Sequence, residues 1–583
     1  MSGKPELMNT STPVSENQDL PPSPVEALKS SSRGLRGGIA EFLTGAEEHF
    51  DEAGKQLLKF HGSYQQEDRD ARKNRKESAS GGKFYMFMVR ARIPGGLLTA
   101  DQYLAIDNLA GIHANGTIRL TSRQSVQFHG VLKSGLKPTI AGLNRCLLST
   151  LSACGDVNRN VMACPAPLRN NKTHEQIQQD CMAIALHLAP RTTSYHEIWL
   201  DGKLYSSEME REKADDEPIY GKVYLPRKFK TGLSLPEDNC IDIHSQDLGF
   251  LALVKGGSVI GYDVLVGGGM GMTHGRANTF PQLSKAIFHV PREKVLEGAE
   301  AVVKLYRDHG NRSDRKRARI KYLLADWGVD KFREVLNEYL PFPLALPQGI
   351  KVAGYESHLG WYAQGDGKFW YGVSVENGRI KDDGNFRLRT ALREIFQSIK
   401  CSARLTAMQD ILICDLVQAD RSRVESILLN HGVRLPESLS MVQKFSLACP
   451  AIPTCGLAIT ESERALPLLV DELEILMREL GLESEAYTVR MTGCPNGCVR
   501  PYQSDIGLVG RSGDKYVLFL GGRLEGDRLN FPVKDLVGRA DIAKTLRTIF
   551  IEYKASREEK ESFGDFCNRL GQERLKEMLA NTV

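Results

Sequence analysis

The chain of 583 residues is long enough for three to five compact units of roughly 100–200 residues each. With 76 Lys+Arg against 72 Asp+Glu, the net charge of +4 excludes a nucleic acid or membrane surface recognised by bulk charge, and no apolar run reaches the length of a spanning helix. The 12 cysteines are too sparse for a disulfide-stapled scaffold and no signal-peptide pattern is present, so we expect a cytoplasmic protein.

The N-terminal segment is predicted to be a flexible arm. Residues 1–35 are rich in Ser, Pro, Thr, Asn and Glu and poor in bulky apolar groups, so they cannot bury enough surface to offset the entropy of ordering. The first strand-like segment covers residues 83–93, where aromatic and apolar residues favour a strand. We therefore expect the folded part to begin near residue 50.

An internal repeat is the main organisational signal. Three short segments recur in the same order, each 285 residues further along the chain. The pairs are Gly82-Lys83-Phe84-Tyr85 with Gly367-Lys368-Phe369-Trp370, Arg119-Leu120-Thr121 with Arg404-Leu405-Thr406, and Ala163-Cys164-Pro165-Ala166 with Ala448-Cys449-Pro450-Ala451. Each copy reads as strand, amphipathic helix (100–110 and 387–399), strand and mixed segment. This pattern predicts an α+β protein, duplicated about a pseudo-two-fold axis with a cleft between the halves.

Four cysteines form two short clusters, Cys449-x5-Cys455 and Cys494-x3-Cys498, in loops that contain Pro and Gly. Thiolates from two loops can bind zinc or an iron–sulfur cluster, and the wide spacing favours a cubane over a zinc knuckle. The alternative is buried free thiols, which is the prediction for the scattered cysteines Cys146, Cys154, Cys181, Cys240, Cys401, Cys414 and Cys567. Cys164 repeats Cys449 without matching partners, so the first half is predicted to keep the scaffold and not the cluster.

Basic residues are distributed unequally between the two halves. The offset places Val375 at the position of Arg90 and Met408 at that of Arg123, so the scaffold does not require these charges. Gathered in one cleft, arginines and lysines would bind a small oxyanion and a polyanionic cofactor, although any one of them could be a solvated surface charge. The first half carries Arg90, Arg92, Arg119, Arg123, Arg159, Arg227, Lys228 and Lys230.

Two further segments of the first half bear on cofactor binding. The run 312–321 (RSDRKRARIK) has six basic residues in ten, and we expect a helix that is partly solvated and partly paired with cofactor carboxylates. The glycine-rich loop 267–271 does not fit a G-x-G-x-x-G dinucleotide motif in register. We expect it to allow close approach of the backbone to a flat cofactor.

Six motifs resemble those of the sirohaem and 4Fe–4S sulfite and nitrite reductases, and the match is strongest to the assimilatory NADPH-dependent branch. In chain order over roughly residues 50–570 they are RLTSRQSVQFHG, NRN, YLPRKFK, LVGGG, ACPAIPTC and TGCPNGC. The resemblance implies that a 4Fe–4S cluster is bound by Cys449, Cys455, Cys494 and Cys498, and that Cys498 is also the proximal thiolate of sirohaem. The catalytic residues that it implies around the substrate oxyanion are Arg90, Arg159, Lys228 and Lys230.

The resemblance also implies an architecture of two ferredoxin-like half-domains and two larger α+β lobes. The expected units are a flexible arm (1–50), a first ferredoxin-like half-domain (51–140), a first sirohaem-binding lobe (141–345), a second ferredoxin-like half-domain (346–425) and a second lobe with the cluster and haem thiolate (426–583). The expected sirohaem contacts are Cys498, Arg119, Arg123, Gln127, His129, Arg227, Gly268, Arg312 and Arg315.

The implied activity is the six-electron reduction of sulfite to sulfide in assimilatory sulfate reduction and cysteine biosynthesis. Because the sequence carries no flavin or nicotinamide motif, the implied electron donor is a separate NADPH-oxidising flavoprotein (alpha) subunit, with residues 1–35 as a docking segment. The nearest alternative is a ferredoxin-dependent nitrite or sulfite reductase of the same fold, against which Lys230 favours the sulfite dianion. Alternatives of other classes are an electron carrier without turnover and a zinc-stabilised binding protein.

Overall fold

The computed structural model describes residues 20–74, 83–192, 194, 199–200, 203–204 and 217–580. The helices are α1 (Pro24–Ser30), α2 (Ile39–Thr44), α3 (Glu52–Leu58), α4 (Arg69–Asn74), α5 (Ala100–His113), α6 (Lys133–Arg145), α7 (Lys172–His187), α8 (Val295–His309), α9 (Ile320–Tyr339), α10 (Leu388–Ile399), α11 (Arg421–Asn430), α12 (Met441–Lys444), α13 (Leu466–Leu480), α14 (Ile542–Ser556) and α15 (Phe563–Ala580).

The strands of the first half are β1 (Ser63–Glu67), β2 (Tyr85–Arg90), β3 (Leu97–Leu98), β4 (Ile118–Thr121), β5 (Ser125–Val131), β6 (Trp199–Leu200), β7 (Lys203–Leu204), β8 (Thr231–Ser234), β9 (Leu248–Lys255), β10 (Ser258–Val266) and β11 (Lys285–Pro291). Those of the second half are β12 (Gly360–Ala363), β13 (Phe369–Val373), β14 (Arg379–Ile380), β15 (Asp382–Asp383), β16 (Phe386–Arg387), β17 (Ser402–Leu405), β18 (Ile411–Leu416), β19 (Ser446–Ala448), β20 (Val489–Thr492), β21 (Ile506–Ser512), β22 (Lys515–Leu520) and β23 (Phe531–Gly538).

Two five-stranded sheets carry the repeat, and each sheet takes one strand from the other half of the chain. Their strand orders are β1-β2-β5-β4-β14 and β12-β13-β18-β17-β3. In the first sheet β14 pairs with Ile118 and Arg119 of β4, and in the second β3 pairs with Ala403 and Arg404 of β17. The same strand is therefore exchanged in both directions, which confirms the predicted duplication about a pseudo-two-fold axis.

Glycines allow the two exchanged strands to come close to their host sheets. Gly96 precedes β3 with φ +76, and a Cβ there would lie 2.4 Å from the carbonyl oxygen of Leu405. Gly378 precedes β14 with φ +71, and its Cβ would lie 2.6 Å from the carbonyl oxygen of Leu120. Any side chain at either position would force the backbones apart, because L-residues avoid this φ region and the space is already filled.

One hydrophobic core joins the two ferredoxin-like half-domains. It contains buried side chains from both halves, and the rings of Tyr103 on α5 and Phe396 on α10 lie 4.3 Å apart between centroids. Helix α5 begins at a capping box, in which the Thr99 hydroxyl accepts the amide of Gln102 and the Gln102 side chain accepts the amide of Thr99. The predicted helices at 100–110 and 387–399 are thus confirmed as the packed pair α5 and α10.

Each remaining lobe is a sheet covered by helices. The first has strand order β11-β10-β9-β8 with α7, α8 and α9, and the second has order β19-β20-β21-β22-β23 with α13, α14 and α15. In the first lobe the parallel pair β8 and β9 is followed by antiparallel strands, and in the second the parallel strands β19, β20 and β21 are followed by antiparallel strands. No helix among the described residues is both long and apolar enough to cross a membrane.

The expectation of a flexible arm as far as residue 50 is wrong for residues 24–50, where α1 and α2 are formed. Lys29 of α1 is 1% exposed, lies 2.7 Å from the Glu26 carboxylate and donates to the carbonyl of Leu225 at 2.9 Å. Leu35 is fully buried in the core of the first lobe. The composition was misleading because this segment is ordered largely by buried ionic contacts with distant residues. Residues 1–19 lie outside the described part of the chain.

Candidate functional site

The four clustered cysteines lie on two loops at one edge of the second lobe. Cys449 and Cys455 follow β19, and Cys494 and Cys498 follow β20. Because β19 and β20 are parallel, their carboxyl ends meet at the same edge and bring the loops together. The loops are joined through Gly493, whose amide donates to the Cys449 sulfur at 3.4 Å.

The four clustered thiols do not form a compact site for a single metal ion in this structure. Zinc bound by thiolates at about 2.3 Å holds its sulfurs roughly 3.8 Å apart. Among the described residues, no three of the four clustered thiols have their sulfur atoms all within 4.8 Å of one another. The thiols are nevertheless close enough to interact, since after burial the Cys498 thiolate raises the pKa of both Cys449 and Cys455. Four thiolates from two loops are the donor set that a 4Fe–4S cluster takes.

The four thiols differ in burial. Cys449 and Cys494 are each 7% exposed, and burial followed by the charge of Cys498 raises the pKa of Cys494 to about 11. Thiols in such surroundings ionise when a metal cation binds them. Cys498 alone is exposed. Its sulfur therefore remains accessible on the side that faces the basic residues of the first lobe.

Basic side chains of the first lobe surround Lys228 close to Cys498. Burial, then the charges of Arg159, Arg319 and Arg227, lower the pKa of Lys228 to about 7, while the Cys498 thiolate acts in the opposite direction. Within the described residues Lys228 has no ion pair or hydrogen bond with the protein. The cationic group is thus held beside the exposed thiolate without a protein anion to neutralise it.

Lys230 continues this basic group. Burial and then Lys228, Arg123 and Arg319 lower its pKa well below the usual lysine value. Like that of Lys228, its ammonium group has no hydrogen bond or ion pair within the part of the chain that the structure describes. The predicted substrate residues Lys228 and Lys230 are therefore placed together.

The other two predicted substrate residues lie against a wall formed by Tyr64 and Cys154. Arg159, 8% exposed, donates to the Tyr64 hydroxyl at 3.3 Å. Arg90 donates to the Cys154 sulfur at 3.1 Å. With its amide oxygen turned toward Arg90, Gln127 also accepts from the guanidinium Nε at 3.1 Å. Arg90 and Arg159 are thus oriented by neutral partners and retain their full positive charge.

Arg123, one of the predicted sirohaem contacts, forms hydrogen bonds within the protein beside these basic residues. Arg123 donates to the Gln246 side chain at 2.8 Å and to the Asn160 carbonyl at 2.5 Å. The adjacent Ser122 hydroxyl donates to the carbonyl of Cys498 at 3.1 Å. The loop that contains Arg123 therefore joins the basic residues of the first lobe to the cysteine loop of the second.

Arg119 lies behind the cluster loop rather than in the cleft. It is 1% exposed, donates to the carbonyl of Ala448 at 2.6 Å and pairs with Glu463 at 3.2 Å. Burial favours the neutral acid at Glu463, but Arg119 and then Arg379 hold its pKa at about 2. The Glu463 amide donates to the Cys449 carbonyl, so this charge network fixes the cluster loop. His129 is buried with its ring nitrogen 3.4 Å from the amide of Gln127, and burial lowers the pKa of His129.

The glycine loop is fixed by two residues of the basic run 312–321, Arg319 and Lys321. Lys321 is fully buried and donates to the carbonyls of Gly269 at 2.9 Å and Gly271 at 2.7 Å. Arg319 forms two hydrogen bonds of 2.8 Å with Asp247. A Cβ at Gly268 would lie 2.3 Å from the backbone oxygen of His244, so the loop packs closely against the protein here. The sequence showed the basic run but not that two of its members bind this loop.

The expectation of a basic helix over 312–321 is wrong for most of its length, because helix α9 begins only at Ile320. Arg312 pairs with Glu26 and donates to the carbonyl of Tyr224, and Arg315 donates to Asp156 at 2.9 Å. The same two acids also contact Lys29 and Arg227. Two carboxylates are therefore shared among four basic side chains, and the group keeps an excess of positive charge. Arg227 also faces Asp156, at 3.9 Å.

The sequence of this chain is similar to those of known protein families and of individual proteins. Residues 79–146 and 362–431 match the nitrite/sulfite reductase ferredoxin-like half domain, and residues 181–344 match the nitrite and sulphite reductase 4Fe-4S domain. The chain is 44% identical over 551 residues to the sulfite reductase (NADPH) hemoprotein beta-component of Staphylococcus saprophyticus, covering 94% of this chain and 95% of the relative. The chain belongs to the nitrite and sulfite reductase family.

Other members of the nitrite and sulfite reductase family are nearly as similar. The sulfite reductase (ferredoxin) of Synechococcus elongatus is 43% identical over 580 residues, covering 97% of this chain and 92% of the relative. The structure of Mycobacterium tuberculosis NirA superposes with a TM-score of 0.77 at 24% identity, covering 95% of this chain and 98% of that one, and so shares the fold.

As a family member the chain is an oxidoreductase whose cofactors are sirohaem and a 4Fe–4S cluster. The residues present fit both groups. Two loops supply the four thiols that a 4Fe–4S cluster takes. Lys228 and Lys230 form a basic group in which neither ammonium is paired with a carboxylate, as a carboxylate-rich cofactor requires. The matched 4Fe-4S domain range ends at residue 344 and therefore does not include the two cysteine loops.

The lowered pKa of Lys228 predicts a pH-dependent stability in the cofactor-free protein. Its pKa falls from 10.5 to about 7, so a protonated Lys228 destabilises the folded state fully below pH 7, and this cost disappears as the pH rises toward 10.5. We expect Lys228→Met to be more stable than the parent at pH 6.5, with a difference that closes by pH 10. Urea unfolding across this range measures it. The exposed Lys222→Met is the control, and a difference that is independent of pH for Lys228→Met would contradict the prediction.

Proposed function

We propose that this chain catalyses the six-electron reduction of sulfite to sulfide. The proposal rests on one observation above all, the pair Lys228 and Lys230 held without protein anions beside the exposed Cys498 thiol. A doubly charged oxyanion matches two such lysines better than a singly charged one. The names of the curated relatives in staphylococci and in Synechococcus, all sulfite reductases, agree with this substrate.

Of the basic side chains around the cleft, the arginines would bind the substrate and the lysines would transfer protons. When bound, sirohaem and the cluster supply the metal centre and the electrons that no amino-acid side chain can provide. Arg90 and Arg159 stay charged and hold the substrate oxygens, because each is oriented by neutral partners. Lys228, with a pKa of about 7, gives and regains protons near neutral pH as S–O bonds break, and Lys230 serves the same purpose.

The proposed division of the chain follows the predicted units. The lobe at 426–583 would bind the cluster through Cys449, Cys455, Cys494 and Cys498, and the lobe at 141–345 would supply the basic residues toward sirohaem. Cys498 would serve both groups because it is the one exposed thiol of the four. Its exposure supports a bridging role that the three less accessible thiols could not fill.

The electron donor we propose is a separate NADPH-oxidising flavoprotein subunit. The relative from Staphylococcus saprophyticus is named as the hemoprotein beta-component of an NADPH enzyme, a name that implies a second component. A ferredoxin donor is the second candidate, since the Synechococcus relative is named for ferredoxin and is 43% identical. Supplying the purified chain with either the flavoprotein and NADPH or reduced ferredoxin, and measuring sulfide, decides between them.

The reaction itself is tested without either donor. With reduced methyl viologen as the electron source, we expect one sulfide per sulfite consumed and about six electrons per sulfide. The visible spectrum of the same sample should show a reduced-porphyrin macrocycle together with iron–sulfur absorption. A strong kcat/KM preference for nitrite would overturn the proposed substrate, and iron and labile sulfide without a macrocycle would instead identify an electron carrier.

A further inference from the structure

The loop after β8 in the first lobe corresponds to the cysteine loop after β20 in the second. In the two parallel pairs, Thr231 lies opposite Leu248 and Val489 lies opposite Ile506, so the connecting loops have equal lengths. Each loop contains a residue in the left-handed conformation, Asp242 (φ +52) in one and Arg500 (φ +61) in the other. Both residues are followed directly by a short 3-10 turn.

This correspondence assigns a partner to Cys164. Cys240 lies two residues before Asp242, and Cys498 lies two residues before Arg500, so the two cysteines occupy equivalent places. Cys164 is already the repeat mate of Cys449. The first half thus keeps cysteines at two of the four cluster-ligand positions, and the prediction that Cys164 lacks matching partners is wrong for Cys240.

These two cysteines meet a carboxylate and an imidazole in the interior. The Cys164 sulfur lies 2.8 Å from Asp238 Oδ2 and 3.6 Å from His358 Nε2, and the last two atoms are 3.0 Å apart. With the Cys240 sulfur, all four donor atoms lie within 4.8 Å of one another. Cys164, Asp238, Cys240 and His358 are each at most 5% exposed.

The donors of this group are oriented from outside, as metal ligands usually are. Asp238 Oδ1 accepts the amides of Cys240 at 3.1 Å and Glu356 at 3.2 Å, which leaves Oδ2 toward the sulfur and the imidazole. His358 is held in the left-handed region at φ +60. The four residues lie outside the strands and helices, so loops bring their side chains together.

A second imidazole lies beside this group, next to Cys164. The ring of His174 is 8% exposed and lies close enough to Cys164 for the thiolate to raise its pKa. Its Nδ1 atom has no hydrogen-bond partner in the described structure. His174 is therefore a buried neighbour of Cys164, outside the four donor atoms that lie within 4.8 Å of one another.

We propose that Cys164, Asp238, Cys240 and His358 bind one Zn2+ ion as a closed structural site. Two thiolates, one imidazole and one carboxylate suit zinc, whereas Mg2+ and Ca2+ prefer oxygen ligands alone. Tetrahedral ligands at Zn–S and Zn–N distances of about 2.3 and 2.05 Å lie roughly 3.6 Å apart, as Cys164 and His358 do. Binding displaces the two thiol protons and involves no electron transfer.

The proposed ion would connect the two halves of the chain. Cys164 and Cys240 belong to the first lobe, while His358 lies 194 residues from Cys164, just before the first strand of the second ferredoxin-like half-domain. The metal would therefore act as a crosslink in a part of the molecule that the iron–sulfur cluster does not reach. A site of this kind stabilises the fold and leaves the electron path unchanged.

Metal analysis of the purified holoenzyme tests the proposal. We expect about one zinc per chain in addition to the iron, and a zinc-edge absorption spectrum with two sulfur ligands at about 2.3 Å. These measurements on the parent protein need no variant to fold. An iron-replete holoenzyme that contains no zinc, and binds none after equilibration with Zn2+ and desalting, would overturn the proposal.

Matched variants separate this site from the cluster. Cys240→Ser should lower zinc to less than about a tenth of the parent value while iron, labile sulfide and the visible spectrum stay unchanged. Cys401→Ser, at a buried cysteine outside both sites, should keep its zinc. Cys455→Ser should lose cluster iron and keep zinc. Zinc retained by Cys240→Ser, or lost only together with iron in Cys455→Ser, would show that the metal is bound elsewhere.

Discussion

Replacing Cys498 with serine is expected to lower sulfide production from sulfite at least about a thousand-fold, because this exposed thiol is the one that we propose joins the cluster to sirohaem. Activity is measured with reduced methyl viologen, so that the physiological donor plays no part. Iron and labile sulfide are measured on the same sample, and the visible spectrum is expected to change because a ligand common to both groups is lost.

The control for this variant is Cys567→Ala, which removes a fully buried thiol from the core of the same lobe. It should retain iron, labile sulfide and most of the turnover, although packing losses can lower its thermal stability. A Cys498→Ser enzyme that kept both its spectrum and its turnover would contradict the bridging role. Loss of activity in both variants alike would point to misfolding of the lobe.

Replacing Lys230 with glutamine is expected to lower kcat/KM for sulfite about 100-fold and kcat/KM for nitrite by tenfold or less. Removing one of two lysines without protein anions costs a dianion more attraction than it costs a monoanion. The two constants are measured at the same ionic strength, because screening would otherwise change the comparison. The ratio of kcat/KM for sulfite to kcat/KM for nitrite is the quantity that tests this prediction.

Lys222→Gln provides the matched control, since Lys222 is exposed, lies eight residues earlier and carries the same charge. Both rate constants should remain within about twofold of the parent there. Equal losses for sulfite and nitrite in Lys230→Gln would contradict a role in reading substrate charge. A gain of nitrite activity above sulfite activity would move the assignment toward the nitrite reductases.

The repeat predicted the duplication correctly but not the exchange of strands β3 and β14. Each exchanged strand is two residues long, and a period of two cannot be recognised in so short a segment. The glycines before them, Gly96 and Gly378, carry no distinguishing signal in a chain with 54 glycines. Pairing of such strands is decided by tertiary packing alone.

The cysteine loops were predicted because all four ligands lie within two short segments of sequence. The buried group around Cys240 was missed because its donors come from three segments, and Cys164 and His358 are 194 residues apart. The acid partner of Arg312 was missed for the same reason, since Glu26 lies 286 residues away and in a segment that looked flexible. Local spacing reveals ligands on one loop, but not ligands that only the fold brings together.

The exchanged strands also limit how a chain with a single copy of the repeat could fold. A single copy of the repeat would leave a sheet edge open and offer its own two-residue strand to a neighbour. Two identical copies would satisfy both edges by association, at a protein concentration set by their affinity. In the joined chain the partner is always present at a high effective concentration. The second half can then lose the basic residues that the first half retains. The first half can likewise lose the full set of clustered cysteines that the second half retains.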